Sequence, residues 1–470
     1  MEQEKLESLL KAQREAYFAN PIEPYEARVV SLKQLKRLVV ENQDAICDAI
    51  NRDYGCRARQ ETQVAEILMV LAEIKATLRH LKSWMKPQRR ATDLLLFPSV
   101  KNRVIPQPLG VVGIITPWNF PLNLSLLPLV SVFAAGNRAM IKMSENSMHL
   151  AKLLSEISSD YFPQDKLSFI PETGDVGQRF SALPFDHLIF TGSTETGRKV
   201  MANAAQNLTP VTLELGGKCP AILDEHFPLD IAVERILYVK QLNAGQICTS
   251  VDYLMLPESR LESFIELARV TARKLVPDIQ AETYTSLIND QAFARIEATV
   301  AEAKSEDCRV EILSDQRPYA ENRKFPLTLI INPPESGLAI SERETFGPIL
   351  AIKTYRDNQQ VVNYVRSQPR PLALYPFTND KSLAQFYIDQ LMSGGVAVNN
   401  ALIHVAQHDL PFGGVGASGM GHYHGKEGFI TFSKLRPIAY QSRLAASQLF
   451  YPPYGSKFES LFSLVMRFFR

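Results

Sequence analysis

Hydrophobic residues recur every three or four positions through the first 90 residues, as in SLKQLKRLVVENQDAICDAI. This period is typical of amphipathic helices with one buried face, so residues 1–90 are predicted to be mainly helical. Residues 94–109 differ, because they combine prolines with β-branched residues. That composition favours an extended hairpin or arm over a helix.

Short apolar runs separated by helical patterns follow this arm. The runs are Val111–Thr116, Ala139–Met143, Leu167–Ile170, His187–Thr191 and Val211–Leu215, with helices predicted at Glu145–Ser158 and Thr196–Gln206. Apolar strands that alternate with helices form a parallel, doubly wound sheet covered on both faces. The first half of the chain is therefore predicted to be an α/β lobe.

A second mixed α/β stretch is predicted from about residue 220 to 420. It contains a helix at Leu229–Leu242 and a strand at Ile349–Thr354. Residues 430–445 have an extended character. The pattern as a whole predicts two α/β lobes and an arm.

The charge balance and the cysteines narrow the function. The 470 residues carry 51 basic and 50 acidic side chains, a formal charge of +1, which gives no electrostatic argument for binding nucleic acid. Five cysteines without a C-x-x-C pair favour neither a zinc site nor a disulfide framework. Prolines and polar residues interrupt the apolar runs before they reach membrane-spanning length. We therefore expect a soluble cytoplasmic protein without a metal, whose partners are small molecules or copies of itself.

A glycine-containing turn follows the fourth predicted strand. In FTGSTETGRK, Gly192 and Gly197 have the spacing of a P-loop, but a P-loop requires Ser or Thr after its lysine, and Val200 follows Lys199. The pattern therefore disfavours a nucleoside triphosphatase. It leaves a helix N-terminus that binds a phosphate, or an ordinary turn.

Two acidic residues lie at the ends of predicted strands, where open α/β sheets bind ligands. Glu145 is placed to bind a ribose, and Lys142 nearby would also admit a 2′-phosphate; alternatively, the two form a strand-end charge pair. Glu214 is placed to act as a general base if burial raises its pKa. The alternative for Glu214 is a salt bridge with Lys218.

Cys248 lies among small and polar residues in NAGQICTS. A free thiol with a pKa near 8.5 is only about 3% thiolate at pH 7, so a nucleophilic cysteine needs a helix N-terminus or a cation nearby. From its own neighbourhood, Cys248 is either a nucleophile or an inert packing residue.

Six motifs together resemble the aldehyde dehydrogenase superfamily. PWNFP, FTGSTETG, LELGGK, GQIC, ETFGP and PFGGVGASGMG occur in the family's order and spacing, nearly from end to end of the chain. PLALYPFT, GMGHYHG and the lack of a long N-terminal extension resemble the class-3-like branch, which implies an aromatic substrate such as coniferaldehyde or a medium- or long-chain aliphatic aldehyde. Met143, where the family usually has proline, and Cys219 depart from the pattern without removing a reacting group.

The resemblance implies roles for the candidate residues. Cys248 would attack the aldehyde carbon, and the Asn119 amide with the Cys248 backbone N–H would stabilise the oxyanion of the thiohemiacetal. NAD or NADP would accept the hydride, and Glu214 would activate the water that hydrolyses the thioester. The implied cofactor-binding residues are Thr116, Trp118, Lys142, Glu145, Gly192, Ser193, Thr194, Gly197, Glu344 and Phe346.

The family organisation implies the domain boundaries. Residues 1–93 and 110–214 would form a Rossmann-like NAD(P)-binding domain, 215–425 a second α/β catalytic domain, 94–109 and 430–445 a small β oligomerisation arm of a homodimer, and 446–470 a C-terminal tail. The rival activities are a coenzyme A-acylating dehydrogenase and a retired enzyme that serves as a structural or nucleotide-binding protein.

Two features stay outside these motifs. Four histidines (His404, His408, His422 and His424) have no acidic partner in the sequence and are expected to pack around the pocket mouth without a metal. The segment Lys457–Arg470 is apolar with basic ends. It is expected to dock as a helix on the other subunit or over the substrate entrance, and the alternative is a weak contact with a membrane surface.

Overall fold

The computed structural model of the chain describes residues 3–94, 96–97, 99–443, 445, 448, 451–467 and 469, so parts of the predicted arm and tail lie outside the described residues. The helices are α1 Gln3–Ala19, α2 Tyr25–Glu41, α3 Gln43–Tyr54, α4 Arg59–Thr62, α5 Met69–Trp84, α6 Asn123–Ala135, α7 Met148–Ile157, α8 Val176–Ser181, α9 Thr194–Ala205, α10 Leu229–Gln241, α11 Leu261–Leu275, α12 Asp290–Ser305, α13 Ala339–Glu342, α14 Asn358–Ser367, α15 Lys381–Gln390, α16 Gly425–Thr431 and α17 Ser456–Met466. The strands are β1 Gln88–Arg90, β2 Val100–Pro108, β3 Val111–Ile115, β4 Arg138–Lys142, β5 Leu167–Ile170, β6 His187–Gly192, β7 Val211–Leu215, β8 Pro220–Leu223, β9 Tyr253–Pro257, β10 Arg309–Ile312, β11 Thr328–Ile331, β12 Ile349–Tyr355, β13 Ala373–Phe377, β14 Gly395–Val396, β15 Gly419–Met420 and β16 Ser433–Gln441.

The five strands predicted in the first lobe form one parallel sheet, in the order β7-β6-β3-β4-β5. In chain order this is the 3-2-1-4-5 arrangement of a doubly wound sheet, whose strand order reverses between β3 and β6. The short strand β15 adds to the edge antiparallel to β7. Ligands of such sheets bind at the reversal point, outside the carboxyl ends of the strands.

Burial on both faces explains why these strands are apolar throughout. On β3, Val111 and Ile115 pack with α1 residues such as Leu6, whereas Val112 and Ile114 pack on the opposite face. Helix α6 covers that second face and buries every side chain from residue 125 to 135. A parallel sheet is stable only when both faces are covered in this way.

A second sheet of seven strands has the order β10-β11-β12-β9-β8-β13-β14. Its strands are parallel except for β10 at one edge. The third sheet is the antiparallel arm β1-β2-β16, in which nine residues of β16 pair with nine of β2, from Ser433↔Pro108 to Gln441↔Val100. The predicted α/β fold class is confirmed, while the domain boundaries stay a prediction.

The start of one helix differs from the sequence prediction. The helix predicted at Glu145–Ser158 begins only at Met148, because residues 143–147 form a turn at the edge of the first sheet. No helix in the described part of the chain is both long and apolar enough to cross a bilayer.

Candidate active site

The carboxyl ends of the first sheet bring several predicted site residues together. Asn119 follows β3, and Glu214 is the penultimate residue of β7. A cavity of about 520 Å³ opens at this edge and is lined by both residues, by Cys248 and by Glu344. Residues more than 200 positions apart in sequence thus share one cavity, at the place where doubly wound sheets bind ligands.

The loop before Cys248 has an unusual backbone. Asn243 and Ala244 have φ angles of 51° and 50°, and Gly245 has a φ of 73°. Left-handed conformations at residues with side chains cost of order 1–3 kcal/mol each and are concentrated at functional sites. A Cβ on Gly245 would lie 2.4 Å from the carbonyl oxygen of Gly347, so only glycine fits there.

Asn119 is bound to this loop through both its side chain and its backbone. Its side-chain amide donates to the carbonyl of Gln246 at 3.2 Å. Its own carbonyl accepts from the Tyr54 hydroxyl at 2.9 Å and from the Arg57 guanidinium at 3.0 Å. Since an amide NH₂ has two donors, one N–H of Asn119 is left for a ligand in the cavity.

Cys248 has a protonated thiol at neutral pH. Burial raises the pKa of this thiol to about 12, and the carboxyls of Glu344 and Glu214 act in the same direction. The backbone N–H groups of Cys248 and Thr249 donate to the sulfur and oppose the rise. The structure therefore places the thiol in the opposite electrostatic setting from the helix N-terminus or cation that the sequence argument required.

Glu214 is a buried carboxyl without a protein partner. It is 2% exposed, and within the described ranges neither carboxyl oxygen accepts a hydrogen bond. Burial raises its pKa well above the ordinary value. The predicted alternative of a salt bridge with Lys218 is wrong, because that ammonium donates to Asp252 and to the Ile340 carbonyl. A partnerless carboxyl beside a cavity is placed to accept a proton from water.

A second cavity, of about 660 Å³, continues along the edge of the same sheet. Its lining includes the predicted residues Thr116, Trp118, Lys142, Glu145, Gly192 and Ser193. Helix α9 begins beside it, capped by the Ser193 hydroxyl, which accepts from the Thr196 backbone N–H at 3.2 Å. The ammonium of Lys142 pairs with Glu172, so the predicted alternative of a charge pair with Glu145 is wrong.

Glu344 and Phe346 also line the first cavity. The Glu344 carboxylate lies against the backbone of Gly216, where a Cβ would come within 2.0 Å of Oε2. It also accepts from the Gly217 backbone N–H. The ring of Phe346 meets that of Trp118 edge-on, with 5.4 Å between centroids.

Thr194 and Gly197, two predicted cofactor residues, line neither of these cavities. The Thr194 hydroxyl donates to the Ala417 carbonyl at 3.1 Å. Gly197 faces Leu215, whose Cδ2 would lie 2.6 Å from an added Cβ. Within the described structure both residues therefore contact neighbouring parts of the protein at the glycine turn.

A third cavity, of about 500 Å³, lies on the other side of the thiol and is mainly apolar. Phe120, Leu124, Phe412 and Tyr423 contribute to its wall, and Cys248 lines it as well as the first cavity. The sulfur-bearing residue therefore separates a cleft at the sheet edge from an apolar pocket.

Sequence reasoning missed Arg295 and the acidic partner of one histidine. Arg295 lines the first cavity and donates to the carbonyls of Thr345 and Phe346 at 2.6 and 3.2 Å, and no local pattern indicates this. The expectation that the histidines lack an acidic partner was wrong, because His408 Nδ1 lies 2.7 Å from Glu73 Oε2. His408 and His424 line the third cavity. Across the described positions, no three His, Cys, Asp or Glu side chains are grouped to hold a metal.

The chain is similar to known proteins over nearly its whole length. The model of the aldehyde dehydrogenase family matches residues 1–438. The probable coniferyl aldehyde dehydrogenase of Pseudomonas aeruginosa is 43% identical over 97% of this chain and 95% of its own length. The coniferyl aldehyde dehydrogenase of a Pseudomonas species is 41% identical over 98% and 96%. The substrate-bound structure of Staphylococcus aureus AldH has a TM-score of 0.92 and 33% identity, and the match covers 99% of both chains.

Proposed function

Because this chain belongs to the aldehyde dehydrogenase family, we propose that it oxidises an aldehyde to the carboxylic acid with NAD or NADP, through a covalent intermediate on Cys248. The observation that carries the proposal is the position of Cys248 between two cavities, with the partnerless Glu214 beside one of them. The predicted family and enzyme class are confirmed; the roles of individual residues are our proposal.

The cleft at the sheet edge fits a dinucleotide. Glu145 offers a carboxylate to ribose hydroxyls, and the first turn of α9 at Ser193 offers backbone N–H groups to a phosphate. Lys142 and Trp118 complete this wall, and Glu344 lines the adjoining cavity. When bound there, NAD(P)⁺ supplies the hydride acceptor.

The chain's own residues account for the covalent steps. The Cys248 sulfur attacks the aldehyde carbon and forms a thiohemiacetal, while its proton is released into the cavity that Glu214 lines. The remaining N–H of the Asn119 amide and the Cys248 backbone N–H stabilise the oxyanion, and removal of one such donor typically costs about 10²–10³ in rate. After oxidation to the thioester, Glu214 takes a proton from the attacking water. The carboxylic acid is then released, and Cys248 is regenerated as a thiol.

The apolar pocket supports our proposal for the substrate class. Its aromatic wall, with Phe120, Phe412 and Tyr423, suits an aromatic or a medium- to long-chain aliphatic aldehyde. The names of the two Pseudomonas relatives favour an aromatic substrate such as coniferaldehyde.

The arm and the tail support a proposal about assembly. Most residues of β16 are exposed, and β16 pairs with β2 in the arm. A second copy of the chain would cover this exposed sheet. We take the enzyme to be a cytoplasmic homodimer. Helix α17 buries none of its described side chains, so it is free to dock on that copy or to contact a membrane surface weakly.

The test is an assay of the purified protein with NAD⁺ or NADP⁺, a panel of aldehydes, and product identification. Acid formation without coenzyme A is the expected result. Acyl-coenzyme A formed only when coenzyme A is added would establish the acylating rival instead. A failure to reduce either cofactor with any aldehyde would leave the retired-enzyme rival.

A further inference from the structure

One histidine of the apolar pocket's wall pairs with a buried carboxylate, and the proposed reaction uses neither residue. Glu73, on α5, is fully buried, and its Oε2 lies 2.7 Å from Nδ1 of His408. Its Oε1 accepts from the Gly425 backbone N–H at 3.1 Å, which fixes the carboxylate in place. His408 lines the pocket, as does Cys248.

The contact with Glu73 determines what His408 offers to a ligand. An ionised carboxylate only accepts hydrogen bonds, so Nδ1 carries the proton that it donates to Glu73. In the neutral ring Nε2 then holds a lone pair and is an acceptor, as in other carboxylate-oriented histidines. No hydrogen bond to Nε2 is formed by the residues that the structure describes.

Two polar side chains of the pocket wall already have partners. The Asn123 amide donates to the Ala65 carbonyl at 2.7 Å, and the Asn400 side-chain oxygen accepts from the Ala401 backbone N–H at 2.8 Å. His424, like Nε2 of His408, has unused hydrogen-bonding capacity, because neither of its ring nitrogens has a partner among the described groups. An unpartnered ring nitrogen in a mainly apolar wall is therefore a place where a polar substituent of a ligand would be bound.

We propose that His408, held by Glu73, accepts a hydrogen bond from a hydroxyl group at the end of the substrate remote from the aldehyde, so that the enzyme selects hydroxylated aromatic aldehydes. The inference rests on the proposed function, because it assumes that the aldehyde carbon is held at Cys248. A para-phenolic hydroxyl lies at the end of the aromatic ring opposite the reacting carbon, and Cys248 and His408 both line the pocket. In this assignment His408 contacts the substrate, and Glu73 is a positioning residue.

The alternative is that the pair only ties α5 to the loop before α16. A structural tie would affect all substrates alike, whereas an acceptor for a hydroxyl discriminates between substrates that differ in one hydrogen-bond donor. The ratio of two specificity constants separates these possibilities, because a general loss of folding or activity cancels in the ratio.

The experiment measures kcat/KM for 4-hydroxycinnamaldehyde and for its methyl ether, 4-methoxycinnamaldehyde, which lacks the donor. In the wild type we expect the hydroxy substrate to be favoured by about tenfold, the effect of one hydrogen bond in a largely desolvated pocket. In His408→Phe, which keeps a ring of similar size, the ratio falls to about one. His422→Phe is the matched control, since that neighbouring histidine is exposed and lies outside the pocket lining, and it keeps the wild-type ratio.

Removal of His408 leaves the Glu73 carboxylate buried and unpaired, which is destabilising. The double variant Glu73→Gln/His408→Phe removes that charge and is expected to show the same ratio of about one. A wild-type ratio near one, or a ratio that His408→Phe leaves unchanged, overturns the inference while aldehyde oxidation stands. Absence of any aldehyde-dependent cofactor reduction in the wild type overturns the proposed function itself.

Discussion

The ammonium of Lys218 donates to the carboxylate of Asp252, and this pairing keeps the positive charge away from Glu214, four residues earlier in the chain. A lysine beside Glu214 would hold that carboxyl ionised and fixed. Without one, burial dominates and raises the pKa of Glu214 well above its ordinary value. Both the proposed base chemistry and the pH dependence of the protein follow from this arrangement.

Glu214→Gln is expected to separate the two halves of the reaction. The amide cannot take a proton from water, so the thioester should form and then persist on Cys248. Rapid-mixing measurements should show a burst of reduced cofactor close to one per active site, followed by steady turnover about 10²–10⁴-fold below the wild type. Glu297→Gln, an exposed carboxyl on α12, should turn over normally. Sustained wild-type turnover in Glu214→Gln would remove Glu214 from the mechanism.

The same variant should change how stability depends on pH. The pKa of Glu214 is raised in the folded state, so the folded protein binds this proton more tightly than the unfolded chain does. Its contribution to stability is fully present below the unfolded value of about 4.5 and is lost as pH rises towards the folded value. Relative to wild type, the melting temperature of Glu214→Gln should be similar at pH 4 and increasingly higher from pH 5 to 8. A constant difference across this range would contradict the raised pKa.

Features of the fold and site that depend on the local sequence could be predicted. Those that depend on contacts between distant parts of the chain could not. The strands of the first sheet were predicted closely, because burial on both faces leaves an apolar run in the local sequence. Asn119, Glu214 and Cys248 were brought together by resemblance, since nothing within any one segment indicates that they share a cavity. The direction of the thiol's pKa shift was not predictable, because burial and the Glu344 carboxyl cause it.

The sequence could not show which acidic and basic side chains pair over long distances along the chain. His408 and Glu73 are 335 residues apart, and Lys142 pairs with Glu172 instead of the Glu145 near it in sequence. The sequence alone suggests ion pairs between residues that are close along the chain. In the folded protein, the pairs form between side chains on strand ends and helices that pack against each other.

Cys248 should be alkylated slowly near neutral pH in the enzyme without substrate. With a thiol pKa of about 12, the thiolate fraction rises about tenfold per pH unit through pH 7–9.5. Iodoacetamide labelling of the Cys248 peptide, followed by mass spectrometry, should rise at that rate without a plateau, and aldehyde oxidation should be lost in parallel. Cys248→Ala should lose at least about 10³-fold in kcat, whereas Cys308→Ser should not. Labelling that levels off below pH 9 would show that the thiol is activated in the free enzyme.

The Lys142–Glu172 pair leads to a prediction about cofactor choice. Glu172 neutralises the lysine that would otherwise attract a 2′-phosphate, and Glu145 lines the same cleft with a negative charge, so the wild type is expected to prefer NAD⁺ over NADP⁺. In Glu172→Gln the amide oxygen still accepts from the N-terminus of α8, while Lys142 regains its net charge. The ratio of kcat/KM for NADP⁺ to that for NAD⁺ should then rise about tenfold, the effect of one additional charge-assisted contact. Glu156→Gln removes an equivalent carboxyl from an exposed Lys–Glu pair on α7 and should leave the ratio unchanged. If Glu172→Gln melts like the wild type and its ratio does not move, Lys142 does not face the 2′ position of the bound cofactor.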